Sequence, residues 1–433
     1  MTTRANAPTD EPDPDGRAPR RVAAAMRDVQ DGLDPREAAL RLGVTEPEFA
    51  RLAKAIVARR KAKRVARIPL LFHDIDPEPE KLIREDISAI AAIGDGESLW
   101  IGADEGASLE RLTARRDEAG RIVGYGDHVR FDLHQFFEFP NGVEEEADVE
   151  GLAISDGYLW VVGSHSLKRK KPKTEDTPEE ALEKLSLVKR EANRFLIGRV
   201  PLVAGDRPGV PTLAAKAPAI DGSKRKRRAG AVKMTRNGST LSKRLFRDWH
   251  LGPFMGVPSK DNGLDVEGMA VTGDRIFLGL RGPVLRGWAT VLELKFSARK
   301  NGSLKLEPFD DGDVIRRHFL DLDGLGVRSL LIDGTDLVLL AGPTMDLDGP
   351  VRIYRWRGGL DARDSTVAPR ADVERSLDLP FGEGDDHAEG ATLLSLAPGE
   401  PERLMVAYDT PSRKRLAEGG GVLADVFEAP ERF

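Results

Sequence analysis

The feature that most constrains the fold is a near-repeat of six letters, DVEGLA at 148–153 and DVEGMA at 265–270. In both places a short apolar run leads through a tight polar turn into a second apolar run. The runs are rich in Val, Ile, Leu and Trp and are too short for core helices, so they predict pairs of buried strands. Related stretches begin at Asp86, Gly326 and His387.

Further strands follow each repeated pair. Alternating segments predict a third strand at 194–200, 289–296 and 351–356. A fourth strand is predicted at 128–133, 243–249 and 316–322. Four antiparallel strands per repeat are typical of a propeller blade, so the sequence predicts an all-β propeller.

The spacing of the repeats predicts the number of blades. The third letters of the copies are Ser88, Glu150, Glu267, Arg328 and Glu389, at intervals of 62, 117, 61 and 61 residues. Inserts at about 166–192 and 205–240 account for the long interval and give five four-stranded blades. A sixth blade inside 201–262 is the alternative, because 117 is close to two periods. The segment 64–73 has no other partner, and we expect it to close the ring as the last blade's fourth strand.

The N-terminal part has a different pattern. Residues 1–20 are rich in Pro, Asp and Arg and predict a disordered tail. Residues 21–63 predict a helical segment, with one helix start at Asp34-Pro35 and a capping box from Thr45 to Glu48. Two helices joined at Gly43 have the pattern of a DNA-binding helix-turn-helix or of a plain packed pair, and we favour the packed pair. The propeller is then expected to occupy 64–433.

Composition limits the classes of site and the compartment. The chain has no Cys, which excludes disulfides, thiolate metal sites and a Cys nucleophile. The first twenty residues lack the apolar core of a signal peptide, and no apolar run reaches the ~18 residues of a membrane helix. We therefore expect a cytoplasmic protein without a membrane partner. The net charge of −6 hides basic stretches at 168–173 and 224–247. We favour solvated inserts for them, with nucleic-acid binding as the alternative.

The propeller topology brings two sets of loops to one rim of the channel. The loops that enter the first strands carry Glu150, Glu267, Arg328 and Glu389. The loops that join second and third strands carry Ser164, His165, Arg281, Arg286, Asp346, Asp409 and Thr410. Carboxylates about 5 Å apart at an effective dielectric near 20 repel by roughly 3 kcal/mol per pair. A cation is therefore expected among them, either Arg328 or a divalent ion such as Ca²⁺.

Two functions follow from this rim. In the first, Glu150, Glu267 and Glu389 hold a divalent cation in a hydrolase that acts on an anionic ester or phosphoester. The remaining rim residues bind the substrate or transfer protons, with Arg281 and Arg328 meeting its anion, His165 moving protons, and Ser164, Arg286, Asp346 and Asp409 completing the pocket. In the second, the rim is a non-catalytic scaffold for a small ligand or a protein. No motif for an organic cofactor is present.

Three stretches carry a family resemblance: DVEGLA with GYLWVVGSHSLKRKK, DVEGMAV with LGLRGPVLRGWA, and AEGATLL. They resemble a bacterial family catalogued only as a domain of unknown function, over about residues 67–433, and LRGPVLRG is the most specific part. The resemblance implies a propeller and no established activity. The E-G pair that opens the inner strands is also similar to esterase-like and phytase-like propellers, which implies metal-assisted hydrolysis.

Overall fold

A computed structural model describes residues 17–73, 83–94, 96–345, 347–382 and 387–430. The chain divides into two compact units, residues 1–61 with 431–433 and residues 62–430. In the part of the chain described, no helix is both long enough and apolar enough to cross a membrane.

The first unit contains three helices, Arg17–Gln30, Pro35–Leu42 and Glu46–Arg60. Both predicted helix starts are confirmed. Asp34 accepts a hydrogen bond of 2.7 Å from the backbone N–H of Arg36, and Thr45 forms the capping box with Glu48. The boundary of the predicted tail is wrong, because the first helix already begins at Arg17. Residues 1–16 lie outside the described residues.

The second unit consists of antiparallel sheets, which we number by the order of their first strands. Each sheet is given from its innermost strand outward. Sheet 1 contains Ile87–Ile93, Ser98–Ala103, Ser108–Arg116 and Ile122–Asp132. Sheet 2 contains Val149–Ser155, Tyr158–Gly163, Ile197–Arg207, Val210–Leu213 and Gly230–Ala231. Sheet 3 contains Asp265–Thr272, Arg275–Gly282, Trp288–Ala298, Leu304–Glu307, Ile315–Asp321 and Thr366–Val367.

The remaining elements complete this unit. Sheet 4 contains Gly326–Asp333, Asp336–Gly342, Val351–Trp356 and Val373–Leu379. Sheet 5 contains His387–Leu394, Arg403–Asp409, Gly421–Glu428, Leu416–Ala417 and Arg64–Leu71. Short paired strands outside the sheets are Leu167–Arg169 with Val188–Arg190, Lys216–Ala217 with Arg227–Arg228, and Met234–Thr235 with Gly238–Ser239. The α-helices are Pro178–Ser186 and Thr240–Leu245, and 3₁₀ turns lie at Ile83–Glu85, Leu133–Gln135, Ala192–Phe195, Gly252–Phe254, Ser259–Asp261, Gly359–Asp361 and Arg413–Arg415.

The first strands of the sheets are neighbours in cyclic order. Each packs against the first strands of the preceding and following sheets, and that of sheet 5 packs against that of sheet 1. Apolar clusters fill the spaces between adjacent sheets. The unit is therefore all-β and propeller-like, as the repeats predict.

The repeated E-G pair has a structural reason in this arrangement. The pairing register between first and second strands shifts at the third repeat letter in every sheet, so Glu150 and Glu267 occupy bulges. The glycine that follows permits close approach of the next sheet. A Cβ on Gly268 would lie 3.0 Å from the backbone nitrogen of Leu330, and a Cβ on Gly390 would lie 3.1 Å from that of Ile90.

The N-terminal strand closes the circle of sheets, as predicted. Arg64–Leu71 pairs antiparallel with Gly421–Glu428 as the outermost strand of sheet 5. Leu70 also pairs with Tyr125 of sheet 1 in parallel orientation, which joins the first and last sheets. Ile68 and Leu70 are fully buried in the apolar cluster between them.

The predicted fourth strand at 243–249 is wrong. Thr240–Leu245 is a helix, whose first turn is capped by Ser239 and Ser242. Leu241 and Leu245 bury one face of it, at the spacing of four residues that a helix requires. Sheet 2 instead takes its outer strands from Val210–Leu213 and Gly230–Ala231, inside the stretch predicted as the insert 205–240.

The insert at 166–192 forms a hairpin that carries a helix. The letters TPEE at 177–180 predict a helix over about 178–191. The helix starts at Pro178, with a capping box between Thr177 and Glu180, but it ends at Ser186. The residues expected to continue it form the strand Val188–Arg190, which pairs with Leu167–Arg169.

We expect this hairpin to be dispensable for folding. Arg169 and Val188 are paired, so a four-residue Gly/Ser turn can replace residues 170–187 without moving their ends. No residue of the helix is buried, and we therefore expect the free energy of unfolding to change by less than about 1 kcal/mol. Urea denaturation measures this change, and a broadened, non-cooperative transition would show that the hairpin is part of the sheet core.

Candidate functional site

The inner ring consists of the bulged residues Ser88, Glu150, Glu267, Arg328 and Glu389. Arg328 makes a short hydrogen-bonded ion pair with Glu389, and its Nε lies 3.7 Å from Oε2 of Glu267. Arg281 lies near the end of the second strand of sheet 3, and its Nη1 is 2.6 Å from Oε1 of Glu267. Two of the three predicted metal-binding glutamates therefore face guanidinium groups.

A second layer of carboxylates lies where the first strands begin, and it is paired as well. Asp265 accepts a short hydrogen bond from Arg281. Asp148 lies 2.5 Å from Nη1 of Arg194. Burial disfavours the charged form of Arg281, but Asp265 and then Glu267 outweigh it and raise the pKa of Arg281 well above its ordinary value. These arginines are structural counterions of the rim.

Glu150 is the exception in the inner ring. It is 9% exposed, and within the described residues no hydrogen bond or ion pair joins its carboxylate to a partner. Burial, followed by repulsion from Asp148, Glu267 and Glu389, raises its pKa well above the ordinary value. A proton on Glu150 is therefore favoured at neutral pH.

Three aspartates converge beside this ring, and we call Asp86, Asp104 and Asp409 the aspartate cluster. One carboxylate oxygen from each lies within 4.8 Å of the others. The backbone brings them together: Asp86 forms a bridge with Asp409, and the N–H of Asp104 donates to the carbonyl of Asp86 at 3.4 Å. The cluster thus spans the seam between sheets 1 and 5, where the N-terminal strand closes the circle.

Two members of the aspartate cluster, Asp104 and Asp409, have raised pKa values. Burial, then Asp148, Asp409, Asp86 and Glu389, raise the pKa of Asp104 to about 9. Burial and Asp86 raise the pKa of Asp409 to about 6. Among the described atoms, the buried Oδ1 of Asp104 has no hydrogen-bond partner.

A cavity of about 290 Å³ opens beside the aspartate cluster. Its lining includes Asp86, Glu105, Ser108, Arg130 and His134. This volume is at the lower end of the range of small-molecule sites.

His165 and Ser164 are buried. His165 is 2% exposed, its Nδ1 lies 2.9 Å from the carbonyl oxygen of Gly163, and its ring packs edge-on against Phe195. Burial lowers its pKa to about 4, so the imidazole is neutral and enclosed. Ser164 is equally buried and its hydroxyl contacts that of Ser166. This enclosure does not favour the roles predicted for the two residues.

The other predicted rim residues are dispersed. Arg286 is exposed, in the loop LRGPVLRG, with φ of 51°. Asp346 lies outside the described residues. Asp409, predicted as a substrate ligand, belongs to the aspartate cluster, and the N–H of Thr410 donates to the carbonyl of Glu85.

The oxygen donors of the aspartate cluster suit a hard divalent cation. Ca²⁺ and Mg²⁺ take carboxylate and water oxygens, and three carboxylates around one point supply the charge that such ions need. The glutamates of the inner ring suit one less well, because Arg281 and Arg328 already face Glu267 and Glu389. The candidate cation site therefore moves from the inner ring to the aspartate cluster.

Sequence reasoning missed Asp86 and Asp104, although a signal was present. Asp104 directly follows the second strand of sheet 1, and its position is equivalent to that of Asp409, the last residue of the second strand of sheet 5. Alignment of the loop GADE with AYDT would have revealed the pair, because adjacent blades place equivalent loops side by side.

Comparisons with known proteins place the chain in a family. No curated protein matches its sequence. Among solved structures, hydrazine synthase of Kuenenia stuttgartiensis shares 12% identity over 83% of this chain, with a TM-score of 0.30, and this chain spans only 66% of its length. The β-propeller domain of Cps50 (Swd1) from Myceliophteria thermophila shares 10% over 81% of this chain and 98% of its own, with a TM-score of 0.30. An exo-1,5-alpha-L-arabinanase from a bovine ruminal metagenomic library shares 9% identity over 80% of this chain and 94% of its own length, with a TM-score of 0.33. The model described as "Protein of unknown function (DUF3616)" matches residues 86–425, and the chain belongs to that family.

Proposed function

We propose that the chain binds a divalent cation at the aspartate cluster and uses this site to hydrolyse an anionic ester or phosphoester. The convergence of the three aspartate oxygens within 4.8 Å carries the proposal. Arg194, Arg281 and Arg328 are engaged with Asp148, with Asp265 and Glu267, and with Glu389. Oδ1 of Asp104 has no hydrogen-bond partner among the described atoms, and a bound cation would supply one for it.

The cation would polarise the ester and lower the pKa of a bound water. The chain's own contribution is a proton reservoir next to the site. Glu150 is buried beside the cluster with a raised pKa, so it is a candidate to hold a proton and donate it to a leaving group. We propose Glu150 for the role predicted for His165, whose lowered pKa and enclosure do not suit it.

The cavity beside Asp86 is the candidate place for the substrate. It adjoins one ligand of the proposed cation and has room for a small molecule. Because Arg281 and Arg328 face protein carboxylates, the substrate anion would meet the cation rather than these arginines.

A non-catalytic scaffold is the second candidate, and one observation favours it. The ion pairs of Arg328 join sheet 4 to the neighbouring sheets 3 and 5, and Arg281 pairs with Glu267 within sheet 3. In that case the inner ring stabilises the channel, and the rim binds a ligand without transforming it. For the architecture we infer five blades, because the first strands of sheets 1 to 5 are neighbours in a closed order.

We expect saturating Ca²⁺, Mg²⁺ or Mn²⁺ to raise the melting temperature of the full chain. At a hundredfold excess over Kd the gain is about 2.7 kcal/mol. Asp104→Asn should abolish most of this gain, whereas Glu267→Gln should retain it, because Glu267 faces arginines. Asp310→Asn, an exposed carboxylate on a surface turn, is the matched control.

The same variant has a pH signature. The pKa of Asp104 lies near 9 in the folded chain and near 4 when unfolded, so the folded state binds the extra proton and the cation-free protein loses stability as pH rises across that interval. Asp104→Asn should flatten this loss. The cation site would be ruled out by two results together: cations leave the melting temperature unchanged, and Asp104→Asn is less stable than wild type at pH 8. A cation response without turnover of chromogenic esters and phosphoesters would support the scaffold.

A further inference from the structure

The helix Thr240–Leu245 and the turn after it carry an exposed patch that the rim does not use. We call Lys243, Arg244, Phe246, Arg247 and Trp249 the aromatic–basic patch. Phe246 is 70% exposed and Trp249 is 95% exposed, whereas Trp100, Trp160 and Trp356 are buried. Large aromatic side chains at such exposure are uncommon on a folded surface that has no partner.

The local structure holds these side chains outward. Leu241 and Leu245 anchor the helix in the apolar core. Beyond the helix, Asp248 is buried and accepts hydrogen bonds from the N–H groups of His250 and Leu251 at 2.9 and 3.0 Å, and a short one from Arg317. Trp249 follows this anchored residue, so its exposure is imposed by a well-bonded turn.

The charge of the segment points to an anionic partner. Residues 222–247 contain ten Lys and Arg and no Asp or Glu, in a chain whose net charge is −6. Lys243, Arg244 and Arg247 are exposed, and within the described part of the chain no ion pair joins them to a carboxylate. They are therefore available to phosphate groups.

The order of the exposed residues favours one class of partner. Two basic residues precede Phe246, and Arg247 stands between Phe246 and Trp249. Single-stranded nucleic acid is bound by surfaces of this kind, where aromatic rings stack on bases and Lys or Arg contact the intervening phosphates. A membrane anchor needs apolar side chains that enter the bilayer together. In this patch the charged Arg247 lies between the two aromatic residues, Phe246 and Trp249.

We propose that the aromatic–basic patch binds single-stranded nucleic acid without sequence preference. This interaction is independent of the cation site, because no residue of the patch belongs to the aspartate cluster or lines the cavity beside it.

Fluorescence anisotropy of labelled dT20 and rU20 with the full chain tests the proposal, and the two oligonucleotides distinguish DNA from RNA. We expect Trp249→Ala and Phe246→Ala each to weaken binding by about 5- to 100-fold, since one stacked base is lost. Lys243→Gln, Arg244→Gln and Arg247→Gln together should reduce the slope of log K against log salt by about 2. Lys300→Gln, at an exposed position in the turn between the strands Trp288–Ala298 and Leu304–Glu307, is the matched control.

Tryptophan fluorescence gives a second readout, because Trp249 is the most exposed tryptophan. Oligonucleotide should quench its emission, and Trp249→Ala should lose the quenching. The proposal is overturned if neither oligonucleotide binds. It is also overturned if the chain sediments with phosphatidylserine vesicles instead of binding the oligonucleotides, or if the wild type is a dimer that Trp249→Ala dissociates. Equal binding by wild type and the Trp249→Ala, Phe246→Ala double variant overturns it as well.

Discussion

Deleting residues 1–75 is expected to abolish cooperative folding of the sheet unit, whereas deleting residues 1–60 should leave it folded. The longer deletion removes Arg64–Leu71, the outermost strand of sheet 5 and the link to sheet 1. It removes the buried side chains of Ile68, Leu70 and Phe72 and exposes the apolar surfaces that cover them. Burial of each such side chain contributes roughly 1.5–3 kcal/mol to the free energy of unfolding. A typical domain is stable by only about 5–15 kcal/mol, so this loss is decisive.

Far-UV circular dichroism and urea denaturation of the two truncations measure the difference. Leu70→Ala in the full chain should cost about 2–5 kcal/mol, because Leu70 is fully buried. Leu416→Ala, at a 38% exposed leucine of the same sheet, is its control. If the two truncations melt alike, the N-terminal strand does not close the circle in solution.

Arg328→Met is expected to destabilise the chain by about 3–5 kcal/mol at pH 8. It leaves Glu389 and Glu267 buried beside one another with one cation fewer. Burial already outweighs the arginines and raises the pKa of Glu267 to about 7. A carboxyl group whose folded pKa exceeds its unfolded pKa stabilises the fold below the unfolded value and loses that contribution as pH rises.

The cost of Arg328→Met should therefore be smaller at pH 5 than at pH 8. A second change, Glu389→Gln, should recover part of the stability at pH 8, because it removes the charge that Arg328 balances. Arg363→Met, at an exposed arginine, controls for loss of a surface cation. Equal urea midpoints for Arg328→Met and Arg363→Met would show that the inner ring is hydrated rather than ion-paired.

The repeats predicted the strands of the sheets well because burial on both faces leaves few alternatives for short apolar runs. The prediction failed at 243–249, whose letters KRLFRDW come in pairs of polar and apolar residues and do not alternate as those of a strand do. The helix is set by Leu241 and Leu245, which are buried and four residues apart, under a cap from Ser239. Because Ser239 and Leu241 precede the predicted element, its bounds hid the helical spacing.

The sequence predicted which residues share the rim, but it did not predict which carboxylates pair with which arginines. The shared position of Glu150, Glu267 and Glu389 correctly indicated mutual repulsion, and Arg328 was one of two cations considered for relieving it. Which carboxylates Arg328 and Arg281 reach depends on side-chain directions across three sheets, and sequence spacing does not contain this information. The aspartate cluster was missed because Asp86 and Asp409 are distant in sequence and meet only at the seam.

The pairing of Arg64–Leu71 with Gly421–Glu428 also sets a timetable for biosynthesis. The N-terminal strand leaves the ribosome roughly 350 residues before its partner, which at about 5–20 residues per second is a wait of about 20–70 s. Throughout that interval it is an unpaired edge that could recruit strands from other nascent chains. Arg64 and Arg67 interrupt the apolar sequence of this strand, and in the folded protein they pair with Asp425. The same two charges that hold the paired strand in place therefore oppose aggregation of the strand before it is paired.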